Sequence, residues 1–263
     1  MAVSEKLYVI KIGGNIIDDD NRLQSFLESF AGLEGRKILI HGGGKLATRL
    51  AKDLDIPQQM VDGRRITDAE TLKIITMVYA GYINKNIVAK LQALGTDAIG
   101  LTGADGNLIR AHKRLSSVID YGYVGDVDEV NDKMLAAILQ QGLTVVLAPV
   151  THDGQAQLLN TNADTIAQSV AVAMSGHYTV TLVYTFEKPG VLLDVEDDSS
   201  VIPELDPALY ASYRAEEKIF AGMIPKIDNA FTALSTGVSK VIIGKAEELD
   251  KLTSGNGGTS ISL

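Results

Sequence analysis

The chain has 263 residues, 46% of them hydrophobic and 22% charged, the balance of an ordinary soluble protein that can bury a substantial core as one large domain or two lobes. Its net charge of −9 opposes nucleic acid and anionic membranes, so a phosphate would have to be held by a few placed cations and backbone amides. The absence of cysteine excludes disulfides, thiolate metal sites and a cysteine nucleophile, and no long apolar run with a basic leader marks a signal peptide or membrane span; a small-molecule ligand and a cytoplasmic location are expected.

The first strand is the apolar run Leu7-Tyr8-Val9-Ile10, which runs into Lys11-Ile12-Gly13-Gly14. Glycines at a strand end let the backbone turn and bring N–H groups close to an anion, and a lysine beside them adds a point charge. A second unit repeats this: Lys37-Ile38-Leu39-Ile40 leads into His41-Gly42-Gly43-Gly44 and a helix over 44–55. An extended stretch over 59–66 comes next, then Thr67-Asp68 as a helix start and one helix over 69–94 whose apolar residues cover more than one face. Residues 98–101 read as a short buried strand. Short alternations from 108 to 130 predict hairpins, an insertion suited to a lid. A helix over 132–141 precedes the apolar run 144–150, read as one central parallel strand. After Leu158-Leu159-Asn160-Thr161-Asn162-Ala163-Asp164 comes a helix over 165–174, with a hinge at Ser175-Gly176-His177. The second half holds strands over 178–186 and 240–243, helices near 207–218 and 225–236, a short helix and a Gly/Ser-rich tail. This alternation specifies an α/β fold, a three-layer αβα sandwich with a mainly parallel sheet and ligands off the carboxyl ends of its strands.

Gly42-Gly43-Gly44-Lys45-Leu46-Ala47 fits the loose dinucleotide pattern G-x-G-x-x-G/A, which keeps a nicotinamide or flavin oxidoreductase as an alternative. A P-loop fails, because Leu46 and Ala246 stand where Ser or Thr must follow Gly-Lys. The four histidines lack metal-ligand spacing, and no Gly-x-Ser-x-Gly elbow occurs.

Five segments in order resemble the amino acid kinase family, and within it the N-acetylglutamate kinase branch: Lys11-Ile12-Gly13-Gly14, His41-Gly42-Gly43-Gly44, Asp62-Gly63-Arg64-Arg65-Ile66-Thr67, Asn160-Thr161-Asn162-Ala163-Asp164 and Gly222-Met223-Ile224-Pro225-Lys226. The resemblance implies that residues 1–175, with the lid at 108–130, bind the acylated amino acid and that 176–263 bind ATP with Mg2+. By the same resemblance Lys11 and Lys226 flank the transferring phosphoryl group and Asp164 orients both lysines. Gly43, Gly44, Arg65 and Asn160 meet the N-acyl-glutamate, Arg65 at its α-carboxylate; Gly13, Gly14, Glu187, Gly190, Gly222 and Met223 meet ATP. Asn162 is expected to cap the following helix. The segment Tyr184-Thr185-Phe186-Glu187-Lys188-Pro189-Gly190-Val191 departs from the family's usual Thr/Ser-Asp-Val-x-Gly-Val. No protein metal site, nucleic acid or membrane partner is expected.

The chemistry suits a carboxylate acceptor. A glutamate γ-carboxylate has a pKa of about 4.3 and is already a nucleophile at neutral pH, so positioning and electrostatics suffice. A silent regulatory binder could dispense with one lysine, and an oxidoreductase has no use for the second. Within the fold, N-succinylglutamate and other carboxylate kinases are the alternatives. A succinyl enzyme would need a further cation, for which Arg64, Arg110, Lys113 and Arg114 are candidates. The widely apolar helix over 69–94, with the resemblance, implies a homodimer. Six residues precede Leu7, so the extra N-terminal helix of arginine-inhibited hexamers, and arginine inhibition, are not expected.

Overall fold

Branched apolar runs close to the amino terminus set up the sheet that carries the rest of the chain. The computed structural model describes residues 5–61, 64–219 and 221–263. Strand β1 (Lys6–Ile12) turns at Gly13 into the single turn α1 (Gly14–Ile17), followed by α2 (Asp20–Gly32). No helix is expected between the first two strands, yet the Asp19 carboxylate accepts from the N–H groups of Asn21 and Arg22, and Leu23, Phe26, Leu27 and Phe30 lie on one buried face. Strand β2 (Arg36–His41) leads into α3 (Gly44–Asp53), and β3 (Gln59–Val61) pairs antiparallel with β4 (Arg64–Ile66). Asp62, Gly63 and the side chain of Arg64 lie outside the described residues.

The helix expected over 69–94 is α4 (Ala69–Ile75), a π-helical stretch Thr76–Ile83, and α5 (Asn84–Ala93), joined without a break. The π-helix widens each turn, so no single 3.6-residue stripe describes its apolar face. Next come β5 (Ala98–Leu101), β6 (Ile109–Lys113), β7 (Val124–Val130), α6 (Asp132–Gln140), β8 (Thr144–Leu147), β9 (Val150–His152), β10 (Leu158–Thr161) and α7 (Ala163–Met174). The run 144–150 is thus two strands and not one. Pro149 has no N–H to give a ladder, and the chain leaves the main sheet there. Strands β6 and β7 do form a hairpin, which closes with β9 and β10 into a four-stranded barrel.

The second half adds β11 (Thr179–Phe186), β12 (Glu204–Leu205), α8 (Pro207–Ala215), α9 (Ile224–Ser235), β13 (Lys240–Lys245), α10 (Leu249–Ser254) and β14 (Thr259–Ile261). The Gly/Ser-rich tail therefore ends in a strand, antiparallel to β13. The main sheet has eight strands in the order β12-β14-β13-β11-β1-β2-β8-β5, parallel from β13 to β5. Because β1 lies between β2 and β11, one sheet runs through both halves.

Alternation along β1 divides the core into two layers. Leu7 and Val9 pack with Ile166 and Val170 of α7 and Ile227 of α9, while Ile10 and Ile12 pack with Phe26 of α2, Ala47 of α3 and Ile87 of α5. Helices therefore cover both faces, as the three-layer sandwich requires. Lys11 belongs to the Leu7-Val9 series and emerges on the α7–α9 side, at the carboxyl end of a central strand. Among the described residues no helix is long and apolar enough to cross a membrane.

Candidate active site

Three elements bring charged groups together at that strand end. Lys11 is in register with Ile40 of β2 and Tyr184 of β11, so its backbone is fixed on both sides, and Thr185 Oγ1 donates to the Lys11 carbonyl at 2.9 Å. Asp164 stands in the first turn of α7, where the Asn162 carboxamide oxygen caps the N–H groups of Asp164 and Thr165 at 2.8 and 3.2 Å. A carboxylate is favoured at that helix end. Lys226 stands in the first turn of α9, just after Pro225, where a cation is disfavoured by the helix dipole unless an anion faces it.

That anion is Asp164. Its Oδ1 lies 2.9 Å from Lys11 Nζ, and its Oδ2 accepts from Lys226 Nζ. The three side chains are only 13% (Lys11), 15% (Asp164) and 22% (Lys226) exposed, so water screens them weakly. Burial pushes the Asp164 carboxyl up, but the two lysines together outweigh it and hold the group at about 2. Burial, reinforced by the neighbouring Lys11 charge, pulls Lys226 below its ordinary value, and Asp164 only partly opposes this. The Tyr184 hydroxyl donates to the Asp164 backbone carbonyl at 3.3 Å and seats the turn on β11.

Two cavities adjoin this bridge. One, of about 200 Å³, is lined by Gly43 and Gly44, Arg65, Tyr79, Arg114, Asn160 and Ala163, the last adjacent to Asp164. The other, of about 290 Å³, is lined by Phe186, Glu187, Lys188, Gly190, Gly222, Met223 and Lys226 itself. Gly13 and Gly14 begin α1 without a side-chain cap, and a Cβ on Gly14 would lie 3.9 Å from the Gly44 nitrogen, so the two glycine loops abut. The thirteen residues expected to bind substrate or nucleotide or to carry the transfer thus fall at the bridge, on the two cavities or at the abutting loops, whereas Arg110 and Lys113, named as further cations, line neither cavity.

Partners of these side chains carry the site further than the sequence indicates. Arg65 is 8% exposed and clamped: its Nη2 donates to the Gly44 carbonyl at 3.0 Å and to Thr48 Oγ1 at 2.8 Å, and its Nη1 to Gln58 Oε1. Asn160 Nδ2 donates to Thr67 Oγ1 at 3.0 Å. Arg114 reaches the first cavity with its Nε 3.1 Å from both carboxylate oxygens of Asp126, and stacks 5.6 Å from the Tyr121 ring. Thr48, on the first turns of α3 after the glycine loop, carries a local signal; Gln58, Tyr79 and Asp126 carry none, because they reach the site only through tertiary packing.

The Asp164 shift has a definite pH consequence. A carboxyl whose folded pKa is depressed contributes stability that is complete above its ordinary pKa and fades as pH falls through the folded value. The stability lost in Asp164→Asn is therefore expected to be constant from neutral pH down to about 4 and to shrink steadily towards pH 2. Urea unfolding of both proteins across that range checks it, and a difference that does not change with pH would contradict the ion bridge.

Comparison with known proteins bears on the family and the fold. The model of the amino acid kinase family matches residues 6–245. The acetylglutamate kinase of Cytophaga hutchinsonii is 57% identical over 253 residues, 96% of this chain and 96% of that protein. The acetylglutamate kinase of Parabacteroides distasonis is 56% identical over 245 residues, 93% and 96% of the two chains. Among solved structures, N-acetylglutamate synthase from Neisseria gonorrhoeae, complexed with coenzyme A and N-acetyl-glutamate, superposes with a TM-score of 0.83 at 23% identity over 99% of this chain and 60% of the synthase. Carbamate kinase of Giardia lamblia bound to AMP-PNP superposes with a TM-score of 0.67 at 12% identity over 99% of both chains. At such identities the superpositions speak for the fold, whereas the family match and the close relatives speak for descent: this chain belongs to the amino acid kinase family.

Proposed function

We propose that the protein is a kinase that transfers the γ-phosphoryl group of ATP to the γ-carboxylate of N-acetyl-L-glutamate, the step named by its relatives and used in arginine biosynthesis. One observation carries the mechanism: a buried carboxylate, Asp164, holds Lys11 and Lys226 together, with Ala163 beside it lining one cavity and Lys226 lining another. In this reading the acylated amino acid occupies the first cavity, with its α-carboxylate on Arg65 and a hydrogen bond from Asn160, and Gly43 and Gly44 offer amides at the acceptor end. The nucleotide occupies the second, against Glu187, Gly190, Gly222 and Met223, with Gly13 and Gly14 at its phosphates. An oxygen of the γ-carboxylate attacks the γ-phosphorus, the bond to the ADP oxygen breaks, and ADP leaves with its electron pair. No proton moves, so no base is needed. The work of the chain is to hold two anions in line and to spread the charge of the transferring group over Lys11 and Lys226.

Among the described residues no cluster of three His, Asp or Glu side chains could hold a metal ion. Mg2+ ordinarily binds through nucleotide phosphates with one or two carboxylates at most, so it would arrive with ATP and screen the phosphates. We further propose that residues 1–175 serve the acyl-amino acid and 176–263 the nucleotide. The tip of the β6–β7 hairpin, whose Leu115 and Val118 are each 86% exposed and whose Arg114 reaches the cavity, acts as a lid. A cytoplasmic homodimer completes the proposal. Its interface uses the helical stretch that begins with α4, where Met77 is 55% and Tyr82 66% exposed although the segment is otherwise apolar.

Three measurements test these statements. In an ATP-dependent assay that traps the acyl phosphate with hydroxylamine, Lys11→Ala and Lys226→Ala are each expected to lower kcat by about 10²–10³ while KM changes little. A replacement that raised only KM would demote that lysine to ground-state binding. In the same assay kcat/KM for N-acetylglutamate should exceed that for N-succinylglutamate, because Arg114, a candidate cation that lines this cavity, is already matched by Asp126. A succinyl preference of tenfold or more, lost in Arg114→Leu, would reverse the assignment of the acyl group. Sedimentation should give a dimer that Met77→Glu weakens; a monomer or a hexamer would contradict the interface.

A further inference from the structure

Behind the glycine loop runs a buried polar chain that takes no part in the lysine bridge. His41 closes β2 and is fully buried, as is Asn84 at the start of α5. The ring atom Nδ1 of His41 lies 2.8 Å from the Gly42 carbonyl oxygen, and Nε2 lies 3.3 Å from Asn84 Nδ2. The same amide nitrogen donates to the Val146 carbonyl at 3.0 Å, and Asn84 Oδ1 accepts from Lys85 Nζ at 3.0 Å. Lys85 also donates to the Gly100 carbonyl at 2.6 Å.

Only one arrangement of protons satisfies all of these contacts. A carbonyl can only accept, so Nδ1 of His41 carries the hydrogen. Val146 and Lys85 fix which end of the Asn84 amide is nitrogen, and that nitrogen donates, so Nε2 presents its lone pair. The ring is therefore neutral and in a single tautomer, and burial keeps it so by lowering its pKa to about 4.

The target of this chain is a peptide unit of the loop. Every described peptide bond is trans, so a carbonyl and the N–H that follows it point in opposite directions. Holding the Gly42 carbonyl on His41 turns the Gly43 N–H away from the histidine, and Gly43 itself lines the first cavity. The π-helix clamps the same loop from one side: Gly43 has φ +149°, and a Cβ there would come within 2.3 Å of Ile83 Cδ1.

We propose that His41 is a positioning residue, which through Nδ1–H fixes the Gly42–Gly43 peptide so that the Gly43 amide faces the acceptor carboxylate and the transferring phosphoryl group, with Asn84 selecting its tautomer. This rests on the phosphoryl-transfer reading above. The alternative is a histidine that merely fills the core with its polar atoms satisfied.

Two variants separate these roles. The amide of His41→Asn can place a donor near the position of Nδ1, whereas His41→Gln reaches towards Nε2 and leaves the Gly42 carbonyl without its partner. With wild type and both variants assayed by hydroxylamine trapping, His41→Asn should keep kcat within about threefold of wild type. His41→Gln should lose about tenfold or more in kcat, with KM for both substrates within about threefold, even at matched melting temperatures. Nitrogen NMR of the wild-type ring should show Nδ1 protonated and Nε2 bare from pH 6 to 8. Equal losses in the two variants that track their melting temperatures, or activity retained in both, would overturn the proposal, and so would an unprotonated Nδ1. A protein with Nδ1 protonated that fails to phosphorylate any acyl-glutamate would overturn the catalytic purpose through the reading it rests on, and not through the hydrogen bond.

Discussion

The position of one carboxylate governs the site. Asp164 sits where a strand end and two helix starts converge, and among the described residues it is the carboxylate that offsets two ammonium groups that would otherwise repel each other in a water-poor setting. Lys226 shows the cost of the arrangement: a cation at a helix N-terminus, partly buried beside another cation, has its pKa pulled down. Removing one member of such a group leaves an uncompensated charge, which is why buried ion clusters tolerate truncation poorly. In the proposed reaction an incoming phosphoryl group would supply the anionic charge the two lysines lack, to groups already oriented by Asp164.

The fold delivers this convergence through ordinary packing. Lys11 shares a face of β1 with Leu7 and Val9, and that face is covered by α7 and α9, the helices that carry Asp164 and Lys226. The opposite face, built on Ile10 and Ile12 with α2, α3 and α5, holds the second glycine loop and the π-helical stretch against it. Parallel strands end together, so both loops open on the same edge of the sheet. The barrel of β6, β7, β9 and β10 then brings Arg114 and Asn160 to the cavity from one side, while Arg65 arrives from the small hairpin on the other.

Much of this was legible in the sequence because it is local. Gly-Gly after an apolar run marks a strand end, Asn162 before Ala163 marks a helix start, and Pro225 marks another; each appears where the residue pattern predicts. Helix α2 has an equally local signal, the Asp19 cap and the spacing Leu23-Phe26-Leu27-Phe30, although it is not among the expected elements. Other features had no local signature. The π-helical stretch, which sets Ile83 against Gly43, is one, and β14, held between β12 and β13 and concealed by Gly/Ser-rich composition, is another. The clamp on Arg65 joins Gly44, Thr48 and Gln58 from separate elements, and periodicity cannot pair residues that meet only in three dimensions.

The central claim is that Lys11 and Lys226, held by Asp164, grip the phosphoryl group between the two substrates. A crystal structure of the protein with ADP, tetrafluoroaluminate and N-acetylglutamate tests it most directly, because the planar aluminate marks where the phosphoryl group passes. The account predicts that the aluminate lies between the two cavities with both Nζ atoms within about 3 Å of its fluorines. An aluminate bound out of reach of either lysine, with the Asp164 bridge undisturbed, would contradict it.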